Sequence, residues 1–166
     1  FLALLMGLSL VTVAEAARVL RRAPHRLGVF CLVLGGGQAA AALLWGGALL
    51  LVPGRAGELV LGDVWHSAAQ LIVPVTLGVA GAGLGTGAAA GLRALGAARR
   101  SLRSQLFASV CYVVGGLGGA VVAGTAGSAW GVAAATGCGS AVWWLHLRSA
   151  LRERRPLNPI PEVRTT

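Results

Sequence analysis

The stretch AVWWLHLRSALRERR, Ala141–Arg155, decides how the whole chain is read. Two tryptophans close an apolar run, and His146, Arg148, Arg152, Arg154 and Arg155 crowd in behind them. Such a stretch is either a basic helix that grips nucleic acid or the point where a membrane helix leaves the bilayer. Composition separates the two. The 166 residues are 56% hydrophobic and only 11% charged, with a mean hydropathy of +0.77, whereas a soluble domain carries about 25% charged residues. A chain this apolar has too little polar surface to cover itself in water. Its 26 glycines lie mostly inside apolar runs, as in packed membrane helices, where small residues let backbones approach.

A helix crossing a hydrocarbon layer of ~30 Å needs about 20 apolar residues. Five segments qualify, at about 1–17, 27–52, 64–92, 105–123 and 128–147. They predict an all-α, polytopic membrane protein with a helical bundle over 1–147 and a basic cytoplasmic tail over 148–166. The separators are short: a basic 18–26, a turn-like 53–63, a basic 93–103 and the uncharged GTAG at 124–127. Prolines in the tail, RPLNPIPEVRTT, oppose a stable helix there.

The net charge of +9 comes entirely from arginine, with no lysine. With the Ala, Gly, Val and Leu bias, this fits a GC-rich bacterial genome. Arg18, Arg21, Arg22 and Arg26 follow the first segment, Arg93, Arg99, Arg100 and Arg103 the third, and Arg148, Arg152, Arg154, Arg155 and Arg164 the fifth. Arg55 alone falls in the intervening loops. Short Arg-rich loops stay in the cytoplasm. The pattern predicts a multi-pass protein of the bacterial plasma membrane, with a cytoplasmic C-terminus and no nucleic-acid partner. Trp143 and Trp144 at one end, and Trp65 and Trp130 at the other, are expected in the headgroup layers. The chain opens at Phe1 inside an apolar run, which predicts a fragment whose start lies upstream.

Small residues recur every fourth position at Gly83, Gly87 and Gly91, at Gly115, Gly119 and Ala123, and at Gly127, Gly131, Ala135 and Gly139. Such ridges allow close helix contacts.

No catalytic or metal constellation is legible. His25, His66 and His146 are far apart, Cys31, Cys111 and Cys138 form no CxxC, and GAGLGTG at 81–87 lacks the Lys-Ser/Thr of a phosphate loop. The expectation is no enzyme, no cofactor and no metal. Polar groups inside apolar segments mark a substrate path by default. Glu15 and Arg18 form either a snorkelling ion pair, with Arg22 on the same face, or part of that path. Gln38, Gln70, Thr76 and Thr86 either line a cavity or join helices by hydrogen bonds. Pro74, in LIVPVTLG, removes a backbone donor and is either a hinge or a tolerated membrane proline.

The order of LLVPGRAGELVLGDVW, LIVPVTLG, GLRALGAARRSLRSQL, a glycine-rich hairpin and AVWWLHLRSALRER resembles the C-terminal half, helices eight to twelve, of a polysaccharide (oligosaccharide) flippase of the multidrug/oligosaccharidyl-lipid/polysaccharide exporter superfamily. The resemblance covers nearly the whole chain. It implies a twelve-helix, two-lobe transporter that moves lipid-linked oligosaccharide by alternating access, with lipids, that substrate and the upstream N-terminal lobe as partners. It also implies a cationic cavity, for which Arg18, modulated by Glu15, is the nearest candidate. A drug or small-molecule antiporter of the same superfamily and a non-transporting membrane scaffold subunit are the alternatives.

Overall fold

The computed structural model describes residues 26–62 and 64–154, together with Arg18, Val19 and Arg21. Among these, the regular structure is helical throughout, and three helices are long and apolar enough to cross a membrane. The predicted first segment, Glu15 within it, and residues 155–166 of the tail lie outside the described residues.

Helix α1 spans Leu27–Leu50. Its last turn is closed by Leu51 and Val52, whose N–H groups bond back to the carbonyls of Gly47, Ala48 and Leu49. Pro53 follows, and a proline cannot donate to a continuing helix. The turn-like connection holds a short helix of its own, α2, Gly54–Leu61, which begins after Pro53 and stops at Gly62. Proline sets up a helix start and glycine an exit, so PGRAGELVLG carries its own start and stop.

Helix α3, Val64–Ala94, runs 31 residues and passes through Pro74 without leaving helical geometry. At ~1.5 Å per residue it is about 46 Å long, more than a hydrocarbon layer. It ends in a Schellman turn. Gly96 sits at φ 69, Ala97 N–H bonds to the Leu92 carbonyl at 3.1 Å, and Gly96 N–H to that of Arg93 at 3.0 Å.

The last helical stretch, Ala98–Arg154, leaves helical geometry at Ala123 (φ −143, ψ 27) and Gly124 (φ 61, ψ −142). The two arms, α4 (98–122) and α5 (125–154), fold back as an antiparallel hairpin. Gly119 meets Gly127, Gly115 meets Gly131, and Ala108 meets Gly139. Farther from the bend, the Ser104 hydroxyl pairs with His146 Nδ1 at 2.5 Å, and Arg100 makes a forked ion pair with Glu153 at 2.7 and 2.8 Å. Gly124 supplies the bend because its conformation is open almost only to glycine.

α3 is the central helix. On one side it packs antiparallel to α1 through facing small residues: Gly83 against Gln38 and Ala39, and Gly87 against Cys31 and Gly35. On the other side it runs parallel to α5, with Gly78 beside Ala133, Gly81 beside Thr136, Gly85 beside Ser140 and Gly91 beside Leu147. Two side chains of α5 bond across to α3: Trp144 Nε1 donates to the Leu84 carbonyl at 3.1 Å, and the Ser140 hydroxyl donates to the Gly81 carbonyl. The tryptophans of the opening stretch are turned into the bundle. Trp143 is 6% exposed and belongs to the core, and Trp144 is held by α3. α5 continues to Arg154, so both rings lie well inside the helix rather than at its end.

These registers gather the arginines. The start of α1, the end of α3, the start of α4 and the end of α5 lie together, as the core of Leu27, Leu92, Leu95, Leu147 and Ala150 records. Arg26, Arg93, Arg99, Arg100, Arg103, Arg148 and Arg152 sit at that end. Arg55, on α2, sits at the other, where His66 and Glu58 approach to 3.9 Å. Between the ends the exterior is apolar: Val33, Leu44, Val79, Val110, Val114 and Leu117 are all more than half exposed. An apolar exterior of this extent argues for burial in lipid.

Candidate functional site

Among the described residues, a cleft of about 810 Å³ is walled by α3, α4 and α5, with Gln38 contributed by α1. Its position follows from the packing. α5 fills the space beside α3 through Gly81, Gly85 and Ser140, and α4 lies on α5 through glycines, so a gap remains between the α3 and α4 faces. Much of its wall is small or apolar: Ala82, Ala89, Ala108, Val113, Ala135 and Gly139, backed by Trp143.

Polar groups enter in two sets. The first is internally satisfied. Thr86 Oγ1 donates to Gln38 Oε1 at 2.5 Å and lies 2.7 Å from the Gly83 carbonyl. Thr136 Oγ1 bonds to the Val132 and Ala133 carbonyls, and Ser140 is held by Gly81. The second set is Arg93 on α3 and Gln105, Ser109 and Tyr112 on α4. None of these four side chains makes a hydrogen bond or ion pair among the described residues. Gln105, Ser109 and Tyr112 stand at i, i+4 and i+7, which places them on one helix face. Around them, Leu106, Phe107, Val110 and Val114 are exposed apolar residues. A polar stripe on such a helix, facing a cavity and lacking protein partners, is satisfied by water or by a ligand.

A second cavity, about 540 Å³, lies at the basic end and is lined by Arg93, Gly96, Ala98, Ser101, Leu102 and Gln105. Arg93 and Gln105 line both cavities. A third hollow, about 360 Å³, lies between α1 and α3 and is lined almost wholly by apolar side chains such as Trp45, Leu71 and Ile72.

The residues singled out from the sequence scatter over these features. Gln38 lines the cleft, with Thr86 bonded to it. Thr76 lines the apolar hollow, packed where Gly46 leaves room. Gln70 is exposed on α3 and Arg18 is exposed, and neither lines the cleft. Pro74 is fully buried. Sequence reasoning passed over Gln105, Ser109 and Tyr112 as cavity residues, although their spacing was visible. It read Arg93 only as a topology marker. Among the described residues, no group of three His, Cys, Asp or Glu side chains could hold a metal ion.

No protein-family model matches the chain, and neither a curated protein nor a solved structure matches it.

Proposed function

We propose that the chain is part of a bacterial plasma-membrane transporter that flips lipid-linked oligosaccharide by alternating access, its basic end facing the cytoplasm. The observation that carries this reading is the unpartnered stripe Gln105–Ser109–Tyr112 facing a cleft inside an apolar bundle. Amide, hydroxyl and phenol groups beside an indole wall suit the hydroxyl-rich faces of a sugar. In this reading α1, α3, α4 and α5 each cross the bilayer, each being longer than the roughly 20 residues a crossing needs, and the apolar segment over 1–17 adds a fifth crossing. The Arg-rich end faces the cytoplasm by the positive-inside rule. The resemblance to the C-terminal half of a flippase supplies the remainder: an N-terminal lobe forms the opposite wall, and Pro74 is the flexible point of α3. Transport needs no covalent step, only a substrate that stabilises inward- and outward-open states differently. The charged lining favours this cargo over cationic drugs, because it holds Arg93 and no carboxylate.

The test is full-length protein in proteoliposomes with a fluorescent undecaprenyl-diphosphate oligosaccharide, read by quenching of probe in the outer leaflet. Flipping should exceed that of protein-free vesicles. Ala82→Trp, at an exposed cleft position on α3, should remove most of it by filling the gap. Flipping no faster than in empty vesicles sinks the proposal.

A further inference from the structure

We infer that α2, with Leu51 and Val64 on either side of it, is a lipid-contacting foot. It seats the end of the bundle opposite the arginines in the headgroup layer of a phospholipid leaflet, with Leu51 and Leu59 reaching the acyl boundary. This rests on the bundle being embedded in a bilayer and not on what the bundle transports. Three observations carry it.

The first is level. α2 joins the end of α1 to the start of α3, two antiparallel neighbours. It is packed against the first turn of α3: a Cβ at Gly57 would overlap the Trp65 ring, and Glu58 approaches His66 to 3.9 Å. With 31 residues, α3 is about 46 Å long, close to the ~40–45 Å of a bilayer with its headgroup layers. When the arginines at one end occupy one headgroup layer, α2 falls in the other.

The second is the mixture of exposed groups. Leu59 is 90% exposed, Leu51 84% and Val64 63%, and Arg55, Glu58 and His66 beside them are exposed as well. Water would leave three large apolar side chains bare, and hydrocarbon would strip Arg55 and Glu58 of solvation. The boundary between headgroups and acyl chains suits both. Arg55 and Leu59 stand at i and i+4, on one helix face. A membrane surface accommodates that pairing, because an arginine stem can lie along apolar surface with its guanidinium among the headgroups. The half-buried Trp65 stands at the level where indole rings settle.

The third is charge. The connection from Pro53 to His66 carries Arg55 against Glu58 and Asp63, so it has no excess of positive charge to select anionic lipid. Apolar area is what seats it, and that area continues the exposed exterior of α1 at Leu44 and Leu50. The continuity favours lipid over a protein partner.

The test uses full-length protein with Cys31, Cys111 and Cys138 replaced and one new cysteine, Leu59→Cys or Glu58→Cys, both at exposed positions. Each is labelled with the environment-sensitive fluorophore NBD and reconstituted in phosphatidylcholine vesicles, with and without added phosphatidylglycerol. The label at 59 should emit at shorter wavelength than the label at 58. It should also be quenched more by shallow spin-labelled phosphatidylcholine than by aqueous iodide, with the order reversed at 58. Added phosphatidylglycerol should change neither. Equal iodide quenching at both positions overturns the inference, because α2 then stands in water. A label at 59 shielded from both quenchers overturns it in favour of a covering protein surface. Lipid contact that appears only with phosphatidylglycerol overturns seating by apolar area. Should the cysteine-replaced protein not fold, p-benzoylphenylalanine in place of Leu59 in the otherwise native chain substitutes for the label. A photo-adduct of phospholipid mass supports the foot, and its absence overturns it.

Discussion

Gly115 and Gly131 face each other across the α4–α5 hairpin so closely that a Cβ on either would run into the other's carbonyl oxygen. Gly119 and Gly127, one turn nearer the bend, repeat the relationship. In lipid, helices gain nothing by hiding apolar surface from one another, so association rests on close packing and polar contacts. The hairpin is built on backbone contact for that reason, and so is the α1–α3 seam at Gly35 and Gly87.

Gly131→Leu should therefore weaken the bundle. Forcing a side chain into a filled contact costs about 1–3 kcal/mol, here with backbone as the immovable neighbour. Gly118→Leu, where an added Cβ meets nothing, should be nearly neutral. Thermal unfolding of the two variants in one detergent checks the contrast; equal losses would falsify the backbone-contact account.

Gly124→Ala tests the bend. Its φ of 61 with ψ of −142 is unfavourable for any residue with a Cβ, at a cost of order 1–3 kcal/mol. The same change at Gly118, in the helical part of α4, should be neutral or slightly stabilising, since alanine is the better helix former by about 1 kcal/mol. A lower unfolding midpoint for Gly124→Ala alone is the expected outcome.

The ion pair Arg100–Glu153 joins the open ends of the hairpin, but both side chains are substantially exposed, at 35% and 63%. Solvent screening limits such pairs to about 0–1 kcal/mol. Glu153→Gln should lower stability by no more than this, and the loss should shrink as salt is raised. A large, salt-independent loss would mean that the pair is buried in the folded protein.

Topology is open to a direct measurement. With Cys31, Cys111 and Cys138 replaced, single cysteines at Arg55 and Arg99 should react with an impermeant maleimide from opposite sides of intact vesicles, because the two positions lie at opposite ends of the bundle. Labelling from the same side refutes the alternating arrangement.

Much of the architecture was legible in the chain. The apolar runs announced the membrane-length helices, and Pro53, Gly62, Gly96 and Gly124 mark where helical segments stop or bend. The ridges at Gly83–Gly91, Gly115–Gly119 and Gly127–Gly139 do meet partners. The short helix α2 and the extension of α5 to Arg154 were less visible, because turn-like composition and a charge run both mask continuing backbone hydrogen bonds. The contacts of the tryptophans were not visible in the chain. An indole near a basic cluster reads as a headgroup marker, yet Trp143 and Trp144 turn inward to the core and to the Leu84 carbonyl.

The sequence by itself determined an apolar, helical, one-end-basic chain, because length, hydropathy and charge spacing are properties of single segments. Which polar residues share a cavity was decided only by tertiary structure. In a soluble helix the polar stripe marks the face turned to water. Here α3, α4 and α5 carry apolar residues on the faces toward lipid as well as on those toward protein, so periodicity does not say which face a neighbour covers. Gln38 and Thr86 come together because α1 runs antiparallel to α3. Arg93, Gln105, Ser109 and Tyr112 share one cleft because α4 lies on α5 through glycines and leaves the face opposite α3 uncovered.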